Sequence, residues 1–241
     1  MNTPQSPPAI PPADDRPADS RSGAQSTCRR CGTCCQKGGP ALHIEDAARV
    51  EQGKIPLRSL LTLRTGERVY DNVRAVVTVL DREVIRIKGR DRLPVCRFYD
   101  ADDRSCRIYA QRPLECRVLT CWDTSAIERI YDRNRLVRKD LLGGVEGLWE
   151  LIEVHESRCN HVKLAARVAQ LKKSTPNRTL ETAICESIAY DRQMRMLCVE
   201  KSGVDARLLD FLFGRPLIET IDAYGIAVRQ TEKGIRLRLR T

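Results

Sequence analysis

CRRCGTCCQKGG, residues 28 to 39, places four cysteines within eight positions. They are Cys28, Cys31, Cys34 and Cys35, so the last two are direct neighbours. The residues between them are Arg, Gly and Thr, which do not form an apolar face. We call this stretch the first cysteine block. Core packing does not explain its four cysteines, so we expect them to have a chemical role.

The spacing of the first block predicts metal ligands. A tight turn after Cys28 brings its sulfur beside that of Cys31, and the glycine that follows permits a left-handed backbone. With Cys34 at the next two-residue gap, three thiolates have the spacing that holds iron–sulfur clusters in bacterial ferredoxins. Adjacent side chains of an extended segment point in opposite directions. We therefore expect that Cys34 and Cys35 do not both bind one ion without strain, and that one faces a second site, a bridging position or nothing.

The first block does not complete a site alone, and four further cysteines follow in residues 93 to 122, the second cysteine block. They are Cys96, Cys106, Cys116 and Cys121. Their irregular gaps are not those of paired knuckles but fit loops that fold over a metal centre. Eight thiolates allow two four-cysteine sites, or one polynuclear cluster with spare or reactive thiols.

The three other cysteines have simpler explanations. Cys185 and Cys198 stand among apolar neighbours at helical spacing, so we expect them in the core. His155 and Cys159 are four residues apart and would share a helix face, where they could offer two ligands. Packing roles are favoured for this pair, because no fourth ligand is evident. For His43 a helix-start role is favoured over one beside the metal.

Four arginines interleave with the second block, and their role stays open between two interpretations. They could offset the negative charge of a thiolate cluster and lower thiol pKa values. They could equally lie on a solvated face. These residues are Arg97, Arg107, Arg112 and Arg117.

The two blocks together resemble the YkgJ-type cysteine cluster family, which is described as a zinc- or iron-chelating domain. The first match is C-x2-C-x2-C-C with Gly-Pro-x-Leu, residues 28 to 42. The second is C-x-I-Y-x-x-R-P-x-x-C-R-x-x-x-C, residues 106 to 121. The resemblance covers residues 27 to 122 and implies metal binding through the eight block cysteines. It implies little about a reaction.

The composition of the chain predicts which part is disordered, the compartment of the protein and the type of partner it could bind. Residues 1–26 are rich in Pro, Ala, Ser and Asp, and we expect a disordered tail there. This tail lacks the basic start and apolar core of a secretory signal, so we expect a cytoplasmic protein with reduced thiols. No apolar run approaches the roughly 20 residues of a membrane-spanning helix. The net charge of +10 is compatible with an anionic partner such as nucleic acid, while the partner itself is unknown.

The periodicity predicts an α+β fold in three parts: the tail, a small cysteine-rich metal-binding domain over residues 27–122, and a mainly helical region over residues 123–241. Residues 43–52 and 57–63 have helical spacing. Residues 75–80 and 83–88 alternate as a β-hairpin would. The pattern after residue 122 predicts one helix to about residue 142, one or two helices over residues 147–173, then a break at residues 174–177. Helices over residues 179–199 and 205–212 and a terminal hairpin over residues 225–240 follow.

Three classes of function agree with these observations. The first, slightly favoured, is an enzyme or electron-transfer protein with an iron–sulfur cluster on the two blocks. The second is a binding module in which zinc is structural and the basic surface meets an anionic partner. The third is a metal-handling or thiol-redox protein. Phosphate-binding loops, dinucleotide fingerprints and hydrolase motifs are absent from the sequence, so whether the protein is an enzyme stays open and no catalytic residue is identified.

Overall fold

Short strands and helical turns make up the part of the chain that carries both cysteine blocks. The structure is a computed structural model, and it describes residues 28, 30–90, 93–120, 122–174, 176–231 and 234–240. The expected tail and the expected ligand Cys121 lie outside the described residues. Within them, no helix is long and apolar enough to cross a membrane.

The strands of the described residues pair antiparallel into five two-stranded sheets. In chain order they are β1 Leu60–Leu63, β2 Arg68–Asp71, β3 Val76–Val79, β4 Val84–Ile87, β5 Gly89–Arg90, β6 Leu93–Cys96, β7 Tyr99–Asp100, β8 Ser105–Cys106, β9 Ile226–Thr231 and β10 Gly234–Leu239. The helices are α1 Thr33–Gln36, α2 Ala47–Glu51, α3 Leu114–Val118, α4 Ser125–Ile130, α5 Arg138–Leu142, α6 Leu148–Arg158, α7 His161–Lys173, α8 Arg178–Ser202, α9 Leu209–Phe213 and α10 Leu217–Thr220. Hairpins before a mainly helical region and a last hairpin confirm the predicted α+β class.

The predicted hairpin of residues 75–80 with 83–88 is wrong in its pairing, although both segments are strands. β3 pairs with β2, and β4 pairs with β1, so one hairpin is inserted between the strands of the other. Alternation defines a strand but does not choose its partner. β4 buries Ile85 and Ile87, which requires a buried partner strand, whereas Val77 of β3 stays exposed.

That buried partner is β1, which the sequence pattern assigned to a helix. Only Leu57–Ser59 forms a 3-10 helix, and the chain then continues as a strand from Leu60. Three of the four β1 residues are buried. A short, nearly all-apolar segment has no useful periodicity, so tertiary packing decides between helix and strand.

The predicted single helix to residue 142 is also wrong, because it is interrupted between α4 and α5. The interrupting segment forms strand-like hydrogen bonds with the chain that leaves the first cysteine block. Leu136 N donates to Leu42 O at 3.1 Å, and Ile44 N donates to Asn134 O at 2.8 Å. These long-range bonds take one backbone donor, Leu136 N, and one backbone acceptor, Asn134 O, that a continuous helix would use.

The helices predicted over residues 147–173, 179–199 and 205–212 and the terminal hairpin are present, the last of these helices as a 3-10 turn followed by α9, whereas α10 was not predicted. Residues 147–173 form two helices, and α7 begins after Asn160, whose side chain accepts from Lys163 N. α8 begins after Asn177, whose side chain accepts from Leu180 N. Both are N-caps of the preferred type.

Two hydrophobic clusters underlie these elements. The first contains Cys96 and Tyr99, which precede residue 122, and also Leu136 and Phe211, which follow it. The second is formed by α7, α8, α10 and the terminal hairpin. The first cluster therefore draws on both sides of the predicted boundary at residue 122, and the division of the chain there stays a prediction.

A buried arginine joins four segments of the first cluster. Arg138 is 2% exposed. Its guanidinium lies 2.7 Å from Glu83 and 2.8 Å from Glu156, and it also donates to Leu212 O. It therefore links the turn before β4 and helices α5, α6 and α9.

We predict that Arg138→Met lowers the free energy of unfolding by about 3 kcal/mol, because it leaves the partly buried Glu83 without its counter-charge and Leu212 O without this donor. Urea denaturation followed by circular dichroism measures this change. The matched control is Arg207→Met, which removes an exposed pair with Asp205 and should leave the urea midpoint almost unchanged. Equal losses in the two variants would contradict the assignment.

Candidate metal centre

The first cysteine block depends on a left-handed turn at Gly32. Its φ is 81°, as the glycine after Cys31 led us to expect. A methyl group placed on Gly32 would lie 2.0 Å from Tyr99 Oη. Tyr99 is paired with Cys106 across β7 and β8. The turn thus seats the first block against the strand pair that carries a cysteine of the second.

Cys34 and Cys35 converge, and the expectation that they diverge is wrong. They lie in the helical turn α1 and not in an extended segment, and their sulfurs are 3.9 Å apart. Two thiolates on one tetrahedral ion lie about 3.8 Å apart, since each metal–sulfur bond is about 2.3 Å. The two thiols share a hydrogen bond in which either sulfur can be the donor, and this bond lowers the pKa of Cys34 to about 6 and raises the pKa of Cys35. This spacing suits two ligands of one metal.

The second block brings three described cysteines to the same side of the fold. Cys96 ends β6 and is buried, whereas Cys106 on β8 and Cys116 on α3 are half-buried. α1 packs against β6, which places the neighbouring cysteines of the first block beside Cys96. Cys28 and Cys31 are exposed.

Five described cysteines from both blocks influence one another electrostatically. Burial raises the pKa of Cys116, and the charges of Cys96, Cys34 and Cys106 raise it further. Besides its bond to Cys34 and burial, Cys35 is affected by Cys96 and Cys116. The five sulfurs therefore approach one region, although no three of the described block cysteines have sulfurs within 4.8 Å of one another.

Glu115, the residue before Cys116, anchors α3 to the chain that leaves the first block. It accepts from Ala41 N at 2.8 Å and from Arg135 at 2.6 Å, and it lies 3.4 Å from His43 Nε2. Burial raises the pKa of Glu115, but the bond from His43 and the charge of Arg135 outweigh it and the net shift is downward. The carboxylate thereby holds Cys116 in place through its neighbour.

Asp46 is a second carboxylate that anchors α3 to the chain that leaves the first block. This fully buried carboxylate accepts from Leu114 N at 2.9 Å, at the start of α3, and from His43 N at 3.2 Å. His43 precedes the 3-10 helix that contains Asp46, as predicted for a helix start, and it also contacts Glu115. Sequence reasoning missed both carboxylates; the only signal was an acidic residue three positions after His43.

The arginines near the second block have protein partners. Arg112 lies 3.6 Å from the centre of the Tyr109 ring, and Arg30 of the first block lies 4.8 Å from the same centre. Arg107 donates to Arg97 O at 3.0 Å. These contacts tie block segments together, so neither of the two interpretations describes these arginines fully.

The cation that acts on the thiols is one that the sequence did not suggest. Arg86 of β4 donates to Gly39 O at 2.8 Å. Burial raises the pKa of Cys96, and the charge of Arg86 partly offsets this. Arg86 therefore brings positive charge to the floor of the cysteine region.

The donor set fits a thiophilic metal. The groups that converge are thiols, and thiolates are ligands of zinc and of iron–sulfur clusters. Glu115 and Asp46 are occupied by backbone and arginine donors. Neighbouring thiolates in a buried place repel one another, and a bound cation would remove that repulsion.

A second group of potential ligands is a structural network. His155, Cys159 and Asp191 have ligand atoms within 4.8 Å of one another and are all buried. His155 Nε2 lies 2.7 Å from Asp191 Oδ1, which also accepts from Arg195 at 2.9 Å, and Leu217 N donates to Oδ2. The carboxylate is therefore occupied and already paired with a cation.

The thiol of this network is buried. Burial raises the pKa of Cys159 to about 12. Burial also lowers the pKa of His155. An added cation would face Arg195, which already pairs with Asp191, so packing roles for His155 and Cys159 agree best with the geometry.

Comparison with known proteins finds a family model that matches both cysteine blocks. Residues 27–136 match the model of the CxxCxxCC family, described as a "putative zinc- or iron-chelating domain". The match covers both blocks and reaches past Arg135, the partner of Glu115. It confirms the resemblance seen in the sequence and supports metal binding by this segment. No curated protein and no solved structure matched the chain.

The buried histidine His161 generates a prediction about pH. Its Nε2 lies 2.9 Å from Arg64 and its Nδ1 lies 3.1 Å from Tyr224 Oη, so the ring is neutral with the proton on Nδ1. Burial, followed by the charge of Arg64, lowers the pKa of His161 to about 3. In the unfolded chain His161 binds a proton with a pKa near 6.5, whereas in the folded chain it stays neutral. The free energy of unfolding therefore falls as the pH decreases below that value.

We expect the stability difference between the wild type and His161→Gln to shrink by about 2 kcal/mol between pH 7 and pH 5, because only the wild type has this histidine. Urea denaturation at both pH values measures the difference. Acid also weakens thiolate–metal bonds, but it does so in both proteins and cancels in the comparison. Parallel pH profiles would contradict a neutral, buried His161.

Proposed function

We propose that the two cysteine blocks form one all-thiolate metal centre that holds an iron–sulfur cluster. One observation carries this proposal: Cys34 and Cys35 of the first block meet Cys96, Cys106 and Cys116 of the second closely enough to alter one another's pKa values. The sulfurs 3.9 Å apart on α1 support two ligands for one metal atom.

A cluster is favoured over a lone zinc ion by the number of sulfurs. A structural zinc site takes four ligands. Five described thiols lie close enough to influence one another electrostatically, and Cys28 and Cys31 precede Cys34 on the same loop. The C-x2-C-x2-C run is also the spacing that bacterial clusters use. The exposed thiols of the first block put the proposed centre near the surface, which suits electron transfer.

Structural zinc is the alternative, because all-thiolate ligation also suits that ion. In that case the protein would be a binding module. The buried carboxylates Glu115 and Asp46 and the zinc ion would then both serve only to stabilise its fold. Both versions suit the reducing cytoplasm that we expect for this protein.

Anaerobic purification followed by a UV–visible spectrum and by iron, sulfide and zinc analysis separates the two versions. Broad absorbance near 400 nm with iron and sulfide in comparable amounts supports the cluster. A colourless protein with zinc supports the alternative. A protein without bound metal after anaerobic purification and reconstitution contradicts both.

Matched cysteine variants test the site itself. We predict that Cys96→Ser loses most of the bound metal, whereas Cys198→Ser keeps it. Both cysteines are buried in the same hydrophobic cluster, at 6% and 4% exposure, but only Cys96 belongs to a block. The loss in Cys198→Ser should therefore appear as about 1–3 kcal/mol of stability. Metal content per chain and urea midpoints are the measurements, and equal metal retention in the two variants would overturn the site.

The neighbouring pair on α1 refines the ligand set. If Cys34 and Cys35 both bind, Ser at either position lowers the metal content. If one is a spare thiol, its Ser variant keeps the metal and loses rapid reaction with a mild alkylating reagent. Loss of metal from both variants is the outcome that the convergent sulfurs predict.

A further inference from the structure

The terminal hairpin has one apolar face and one face of arginines. Ile235, Leu237 and Leu239 point inward and pack on the second hydrophobic cluster. The alternate residues of β10 are exposed, and Arg229 lies on the same outer face of β9. We call this outer surface the arginine face; it consists of Arg229, Arg236, Arg238 and Arg240.

The arginine face is largely without counter-charge. Arg240 pairs with Asp222. No carboxylate of the described residues forms an ion pair with Arg229, Arg236 or Arg238. Register makes the arrangement costly, because Arg236 stands directly opposite Arg229, and like charges at such positions destabilise a sheet.

Two exposed arginines elsewhere in the fold, Arg82 and Arg207, have acidic neighbours. Arg82 lies 3.4 Å from Asp81, and Arg207 lies 2.6 Å from Asp205. Other exposed arginines, such as Arg178 and Arg192, also form no ion pair with a described residue, and the arginine face differs from them in that its arginines stand together on one surface of one hairpin. A bound external anion would supply the negative charge that the described residues do not provide to this face.

We propose that the arginine face docks onto the phosphate backbone of a nucleic acid duplex, without reading its sequence. Arginine presents a planar fork that binds phosphate oxygens in pairs. Arg236 and Arg238 are two residues apart on one strand, a separation of about 7 Å, so each can bind its own phosphate. A two-stranded ribbon of this width fits the major groove of a duplex.

The composition of the arginine face argues against other anionic partners. Protein interfaces have an apolar centre, and membrane-binding surfaces insert apolar side chains. Among the side chains of this face that the structure describes, only that of Ala227, opposite Arg238, stands between the arginines. Proteins that hold single strands stack bases on aromatic rings, and residues 225–240 contain none. Contacts with the phosphates of a duplex are therefore the binding mode that this composition favours.

The basic surface continues from the hairpin to the end of α7. A methyl group on Gly225, at the base of the hairpin, would lie 2.8 Å from Lys172 Nζ. Arg240 N donates to Gly225 O at 2.9 Å, so Lys172 and Arg240 approach the same residue. The proposed contact can therefore extend beyond the two strands.

The test uses the full, metal-loaded protein and a fluorescently labelled DNA duplex of mixed sequence, with anisotropy measured over a range of salt concentrations. The variant is Arg236→Gln with Arg238→Gln. The control is Arg82→Gln with Arg207→Gln, which removes the same two charges from other exposed sites. Circular dichroism and metal content of both variants show that fold and metal centre are retained.

We expect salt-dependent binding by the wild type, at least tenfold weaker binding by the hairpin variant, and a decrease of about two in its log–log salt slope. The control should bind nearly as the wild type does, and scrambling the duplex sequence should change little. Equal weakening in both variants would reduce the effect to net charge and overturn the proposal. So would tighter binding to a single strand or to anionic phospholipid vesicles, or no binding at low salt. Because metal content is measured separately, failure here is distinguishable from failure of the metal centre.

Discussion

The hydrogen bonds of two buried carboxylates, Glu115 and Asp46, are the constraint on which the cysteine region depends. Thiols on distant segments repel one another once ionised, so they cannot assemble their own site. Glu115 binds the backbone of Ala41, and Asp46 caps the start of the helix that carries Cys116. The first block and Cys116, more than seventy residues apart in the chain, are thereby held in the same part of the fold.

Buried charged side chains with several hydrogen-bond partners also hold the rest of the fold together. Arg138 joins segments of the first hydrophobic cluster, and Arg195 binds Asp191 and the carbonyls of Phe213 and Gly214. In each case a guanidinium satisfies several carbonyls or carboxylates at once, which is why arginine tolerates burial where an isolated charge would not. Part of the basic composition is therefore structural, and only part is available at the surface.

The proposed metal centre and the proposed duplex-binding face are supported by different cores. Cys96 and Tyr99 belong to the first hydrophobic cluster, whereas Ile235 and Leu237 pack on the second. A chain with this arrangement can present a metal centre and an anion-binding ribbon as separate surfaces. If both proposals hold, the protein is a metal-bearing module that is delivered to a nucleic acid by its last two strands.

The sequence by itself determined the local features: the left-handed turn at Gly32, the capped helices α7 and α8, the terminal hairpin, and the set of thiols that could bind metal. Each rests on neighbouring residues, through backbone freedom, side-chain caps or alternation. Only the tertiary structure decided the partner of β4, the break between α4 and α5 and the convergence of Cys34 with Cys35. Those outcomes depend on burial and on hydrogen bonds to residues far away in the chain, such as Leu42 to Leu136, which no local pattern contains.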